Sequence, residues 1–178
     1  MENKSTRLVL SPAPHFLTSM DIQKTMGMVV IALLPALAGG VVFFGAHVLL
    51  VALVSVDSAV LAEYLFRAAL HREPHVQDLS AVVTGLLLAL VLPPSTPVWM
   101  TALGALFAVV VAKEFFGGLG ANVFNPALTG RAFLLVSFAT PLTTWSAPFV
   151  ADAISTATPL SVIKPVDGVV LSAGQIAQ

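Results

Sequence analysis

Long hydrophobic blocks follow one another along this chain, separated by short groups of polar residues, glycine and proline. The blocks Gly27 to Gly45, Ala46 to Leu70 and Val98 to Phe116 match the length, roughly 20 apolar residues, that crosses a hydrocarbon core about 30 Å thick. Each of them predicts a membrane-spanning helix. Pro35 and the pair Gly39-Gly40 predict a kink or a close helix contact in the first block.

Ser80 to Leu92 and Asn125 to Phe138 are shorter blocks, and Pro93-Pro94 stops the former. At about 1.5 Å per residue a helix in either block is only about 20 Å long, too short to cross a bilayer comfortably. The two blocks also resemble each other, because Thr84-Gly85 and Thr129-Gly130 follow their polar starts at an offset of 45 residues. An architectural repeat and a chance similarity between apolar stretches both account for this match.

Polar residues stand at the starts of the short blocks, where discontinuous helices of transporters direct their N–H groups and positive dipole ends at a bound group. A simpler alternative is that these residues only cap the helices. The residues concerned are Asp78, Ser80, Asn122 and Asn125.

The positive charges predict an orientation, since Lys and Arg collect in cytoplasmic segments. They flank the first two blocks, at Lys4, Arg7, Lys24, Arg67 and Arg72. We therefore expect a cytoplasmic segment at 1–24, a transmembrane helical domain at 25–138 and a periplasmic or extracellular loop at 139–178. The predicted fold is an all-α integral membrane bundle of about five transmembrane segments, two of them short discontinuous helices.

Composition supports the membrane prediction and excludes other classes. Hydrophobic residues make up 57% of the chain and charged residues 10%, a balance outside the usual range of soluble domains. A net charge of −1, with no clustered basic face, excludes nucleic-acid binding. The absence of cysteine removes thiolate-bound iron–sulfur clusters and thiol nucleophiles, so redox chemistry on this chain requires an organic cofactor.

Two groups of charged residues fall within the second block. Asp57 lies near its middle, where an ionisable residue indicates either a station for Na⁺ or H⁺ or a neutral acid hydrogen-bonded to a neighbouring helix. Glu63 and Arg67 are spaced i, i+4 and predict an ordinary interfacial ion pair. No spacing of residues indicates a metal site.

A hydroxyl-rich stretch, Asp152 to Leu160, follows the last hydrophobic block and reads locally as a capped turn. Its Ser155-Thr156-Ala157-Thr158 sequence nevertheless resembles the flavin-attachment motif of the RnfD/NqrB family, which comprises RnfD of the Rnf electron-transport complex and NqrB of the sodium-pumping NADH:quinone oxidoreductase. Other blocks resemble the same family in the same order: Ser11 to His15, Leu79 to Leu90, Lys113 to Asn122, Phe124 to Ala127 and Thr143 to Trp145.

The resemblance implies FMN joined by a phosphoester bond to Thr158, with Ser155, Ala157 and Asp152 in the surrounding motif. Thr156 stands where the family often has glycine, so it is an alternative attachment site. Thr158 has no adjacent histidine or lysine to activate it, and a separate flavin transferase is therefore expected. The resemblance also implies a second, non-covalent flavin, riboflavin.

The same resemblance implies a subunit of a redox-driven ion translocase, with no complete active site of its own, in the bacterial inner membrane. Its partners would be iron–sulfur and membrane subunits of the Rnf complex, and the ion Na⁺ or H⁺. Family members are longer and carry a second set of helices in an inverted repeat like that of urea and ammonium transporters, so this chain is expected to be the N-terminal part of a longer one. The alternatives are the quinone-reductase subunit and a channel or transporter half without a redox role.

Overall fold

The computed structural model describes residues 21–72, 78–146, 148 and 155–156. Its first two helices are α1 (Ile22–Phe44) and α2 (His47–Ala69), of 23 residues each. Among the described residues these two helices are long and apolar enough to cross a membrane. Helix α1 begins five residues earlier than the apolar block predicts, because the Asp21 carboxylate accepts a 2.8 Å hydrogen bond from the backbone N–H of Ile22 and caps it.

The next three helices have 12 residues each, which corresponds to about 18 Å. They are α3 (Ser80–Val91), α4 (Val98–Val109) and α5 (Pro126–Ser137). The sequence predicts one continuous helix to Phe116, but α4 passes into a π turn (Val110–Glu114), in which the N–H of Phe115 donates to the carbonyl of Val110 at 3.1 Å.

A short helix, α6 (Ala139–Thr143), and a small hairpin follow α5. The hairpin pairs β1 (Trp145–Ser146) with β2 (Ser155–Thr156) in antiparallel register. The sequence predicts an external loop here and indicates neither element.

Helix α2 lies at the centre of the bundle and packs against α3 and α4, while α5 packs on α4 and α3. Helix α1 contacts α3 and α2 along a less buried surface. The core between the helices is built from small and medium apolar side chains, among them Ala59, Leu88, Met100, Ala105, Val109 and Leu134.

The two short helices α3 and α5 share their local structure. Their threonine hydroxyls bond back to the carbonyl four residues earlier, from Thr84 to Ser80 and from Thr129 to Asn125, both at 2.9 Å. The glycine after each threonine lies against a neighbouring helix: a Cβ on Gly85 would be 2.7 Å from the Cα of Val56, and one on Gly130 2.8 Å from a carbonyl oxygen of α4. The Thr-Gly similarity in the sequence therefore corresponds to a shared way of starting and packing a helix.

Polar residues at the starts of the short helices act as caps. The Asn125 side chain accepts hydrogen bonds from the N–H groups of Ala127 at 3.0 Å and Leu128 at 3.3 Å. The Asp78 carboxylate accepts from the N–H of Ser80 at 2.8 Å and from its hydroxyl at 2.6 Å. These contacts agree with the capping alternative for both residues.

Candidate functional site

The start of the hydroxyl-rich motif is part of the hairpin. Thr156 pairs with Trp145 and Ser155 with Ser146, so the backbone of the motif's first half lies beside the Thr143 to Trp145 block. Asp152, Ala157 and Thr158 lie outside the described residues. Their predicted roles in FMN attachment stay predictions.

An apolar cavity of about 460 Å³ lies between α1, α3 and the hairpin. Its volume falls within the range of roughly 300–1,000 Å³ found for small-molecule and cofactor sites. Helix α1 contributes glycines and aromatic side chains, the end of α3 contributes leucines and prolines, and β1 contributes an indole. The residues that define these walls include Gly39, Phe43, Leu92, Pro93 and Trp145.

Asp57 lies on the exposed face of α2, among Leu53, Leu61 and Tyr64, which are each at least half exposed. No described residue forms a hydrogen bond with its carboxylate. Within the described ranges the acid is therefore not tied to a neighbouring helix, and its role on an ion pathway stays a prediction.

A buried network of four charged side chains lies at the far end of α2 from the hairpin. Glu63 is 0% exposed, Arg67 8%, Lys113 1% and Glu114 2%. The Lys113 Nζ lies 3.0 Å from the Glu63 Oε2, and the Arg67 Nε lies 3.1 Å from the Glu114 Oε2. We call these residues the ionic network.

The start of α3 extends the ionic network. The Lys113 Nζ donates to the hydroxyl of Ser80 at 2.6 Å, and that hydroxyl donates to the Asp78 carboxylate. The turn after the π turn closes over Arg67, because a Cβ on Gly118, which has a φ of +90°, would lie 2.8 Å from the Arg67 Nη2. A chain of charge-assisted hydrogen bonds thus joins α2, the π turn and α3.

The network pairs two cations with two carboxylates, which is the arrangement that makes burial of charge tolerable. One oxygen, the Oε1 of Glu63, has no hydrogen-bond partner among the described residues and lies 3.6 Å from the Arg67 Nε. Within the part of the chain that the structure describes, no group of three or more His, Asp or Glu side chains is placed to hold a metal ion.

The prediction of an ordinary interfacial pair between Glu63 and Arg67 is wrong in its setting. Their i, i+4 contact exists, but Lys113 and Glu114 approach from the π turn and bury all four groups. Sequence reasoning missed this role of Lys113 and Glu114. The signal was present: two adjacent opposite charges near the end of one apolar block, matching two opposite charges near the end of another.

Taken together, the fold and these sites define an all-α membrane protein with charges buried between its helices. Residues 9–177 match the sequence model of the NQR2, RnfD, RnfE family. The chain belongs to this family, which supplies membrane subunits.

The curated relatives are subunits of ferredoxin:NAD⁺ oxidoreductases. The chain is 41% identical over 163 residues to the RnfD protein of the proton-translocating ferredoxin:NAD(+) oxidoreductase complex of Clostridium ljungdahlii, covering 90% of this chain and 49% of the relative. It is 41% identical over 157 residues to the corresponding protein of the Na(+)-translocating complex of Acetobacterium woodii, covering 88% and 49%. The chain thus spans about half the length of these relatives.

Proposed function

We propose that this chain serves as the RnfD component of an ion-translocating ferredoxin:NAD⁺ oxidoreductase of the Rnf type and carries FMN on Thr158. The observation that carries the proposal is the family match, which runs to residue 177 and so includes the whole hydroxyl-rich motif. The relatives at 41% identity bear the name of that component. The protein works within a translocase and does not complete a catalytic site alone.

The surroundings of the motif suit a flavin. The hairpin sets the backbone of Ser155 and Thr156 beside an apolar cavity of cofactor size. FMN supplies electron transfer when bound, while the protein positions the group and sets its surroundings. A second, non-covalent riboflavin stays a prediction.

Topology follows from the same proposal. The chain crosses the bacterial inner membrane several times, with the N-terminus in the cytoplasm, the ionic network toward the cytoplasmic side and the hairpin toward the periplasm. The arginines near the end of α2, Arg67 and Arg72, support this orientation. Helices α3 and α5 serve as the short discontinuous members of about five segments, in one half of an inverted-repeat bundle.

The proposed partners follow from what this chain lacks and what its relatives are. Because the chain has no cysteine, iron–sulfur clusters belong to other subunits of the complex. A separate flavin transferase attaches FMN, and Na⁺ or H⁺ is the translocated ion.

Covalent flavin is tested by in-gel fluorescence of the full protein, produced in cells with an active flavin transferase and run under denaturing conditions. We expect a fluorescent band that disappears in Thr158→Val, because the phosphoester needs that hydroxyl. Thr156→Val is the matched control and should stay fluorescent. A dark wild-type band contradicts the proposal, and a Thr158→Val band that stays fluorescent moves the attachment to Thr156.

A further inference from the structure

We propose that the apolar cavity between α1, α3 and the hairpin holds the isoalloxazine ring of the FMN carried on Thr158, with Trp145 as a wall of that site. The inference rests on the proposed function, because it takes the covalent flavin as given. It adds the residues that receive the ring.

The cavity has the size and chemistry for a flat apolar group. Its volume is about 460 Å³, and its lining residues are apolar, glycine or proline. Phe43, Phe44 and Trp145 bring three aromatic side chains to it. Aromatic groups favour offset stacking or edge-to-face contacts with one another, so these walls suit the dimethylbenzene edge of a flavin.

The position of the tether selects a flavin over other apolar occupants. Trp145 lines the cavity and is the register partner of Thr156. Thr158 follows two residues later, and two residues of chain span at most about 7 Å. A ring attached through its ribityl phosphate to Thr158 is therefore confined near the cavity at high effective concentration.

The glycine wall of α1 makes the room. A Cβ on Gly39 would find the Phe43 ring at 4.0 Å as its nearest neighbour, so the helix tolerates a side chain there. A leucine at this position would occupy cavity volume and displace a ring without a backbone clash. Ala38 is the adjacent residue of α1, is exposed and does not line the cavity, which makes it a matched control.

The test uses the full protein with FMN attached and reads flavin fluorescence in the folded state, including quenching by iodide. We expect Gly39→Leu to raise the iodide quenching constant at least twofold, because the displaced ring becomes accessible, and Ala38→Leu to leave it unchanged. Trp145→Leu should raise the native flavin fluorescence several-fold, since a neighbouring indole quenches flavins, and Trp145→Phe should preserve iodide protection. The Trp145 pair decides the matter if Gly39→Leu fails to fold.

Equal iodide quenching in Gly39→Leu and Ala38→Leu, with native fluorescence unchanged in Trp145→Leu, overturns the inference and leaves another occupant, such as a lipid acyl chain. Denaturing gels of the same samples separate the two failures. A fluorescent band with no dependence on the cavity residues removes this inference alone. A dark band removes the proposed function as well.

Discussion

Removing one charge from the ionic network should destabilise the protein strongly. In Lys113→Met the side chain keeps its approximate length but loses the ammonium group that lies 3.0 Å from the Glu63 carboxylate. Glu63 then depends on Arg67, whose Nε is 3.6 Å away and lies closer to Glu114, at 3.1 Å. Two buried carboxylates would share one cation.

The magnitude follows from burial. Glu63 is 0% exposed and Lys113 1%, so solvent cannot replace the lost partner. Breaking a buried ion pair by removing one partner costs about 3–5 kcal/mol, whereas replacing both partners with apolar groups is often neutral. We therefore expect Lys113→Met to lose at least about 3 kcal/mol of unfolding free energy, and Glu63→Met with Lys113→Met to recover most of that loss.

The assay is reversible unfolding of the full protein in mixed detergent micelles, followed by tryptophan fluorescence. Lys24→Met, at an exposed position of α1, is the charge-matched control and should change the unfolding free energy by less than about 0.5 kcal/mol. The reasoning is refuted if Lys113→Met behaves like this control, or if the double variant is less stable than Lys113→Met alone.

Two further substitutions test the packing and the exposed face of α2. Gly85→Val places its first side-chain atom 2.7 Å from the Cα of Val56, so we expect a loss of about 1–3 kcal/mol or more in the same unfolding assay. Gly27→Val, whose nearest neighbour would be a leucine methyl at 3.8 Å, should cost less. Asp57→Asn should change stability by less than about 0.5 kcal/mol, because the residue is exposed. A larger loss would reveal a partner outside the described residues, while the ion-pathway hypothesis separately predicts slower Na⁺ or H⁺ transport in membrane vesicles.

Hydrophobic block length predicted the helices well, because apolar runs and proline stops act locally. The second block, Ala46 to Leu70, became α2 at His47–Ala69, and the first short block became α3 at Ser80–Val91. The π turn was not predictable in this way. Its residues are as apolar as the rest of the block, apart from Lys113 and Glu114, and the change of hydrogen bonding serves those two side chains.

The sites were harder to predict because their contacts join distant positions. Glu63 and Lys113 are 50 residues apart, and nothing in their local sequence states which partner each one takes. The hairpin joins Trp145 to Thr156 through strands of two residues each, too short to show an alternating pattern. Resemblance to a family singled out the hydroxyl-rich motif, but the cavity beside it appeared only with the fold.

The ionic network has a consequence for the opposite end of the bundle. Its ion pairs run between α2 and the π turn that ends α4, from Glu63 to Lys113 and from Arg67 to Glu114, so they fix the register of one helix against the other. Lys113 also holds the first residue of α3 through the Ser80 hydroxyl, and α3 is rigid over about 18 Å.

Residues at the far end of α3 line the cavity beside the hairpin. A slip of α3 by one helical turn at the network would move that wall by about 5.4 Å, which is comparable with the width of a ring system. Charges buried at one end therefore hold in place the surface that we propose for the flavin at the other. On this argument Lys113→Met should loosen flavin packing even where enough folded protein remains to measure it, and iodide quenching of the folded fraction should rise although no cavity residue has changed.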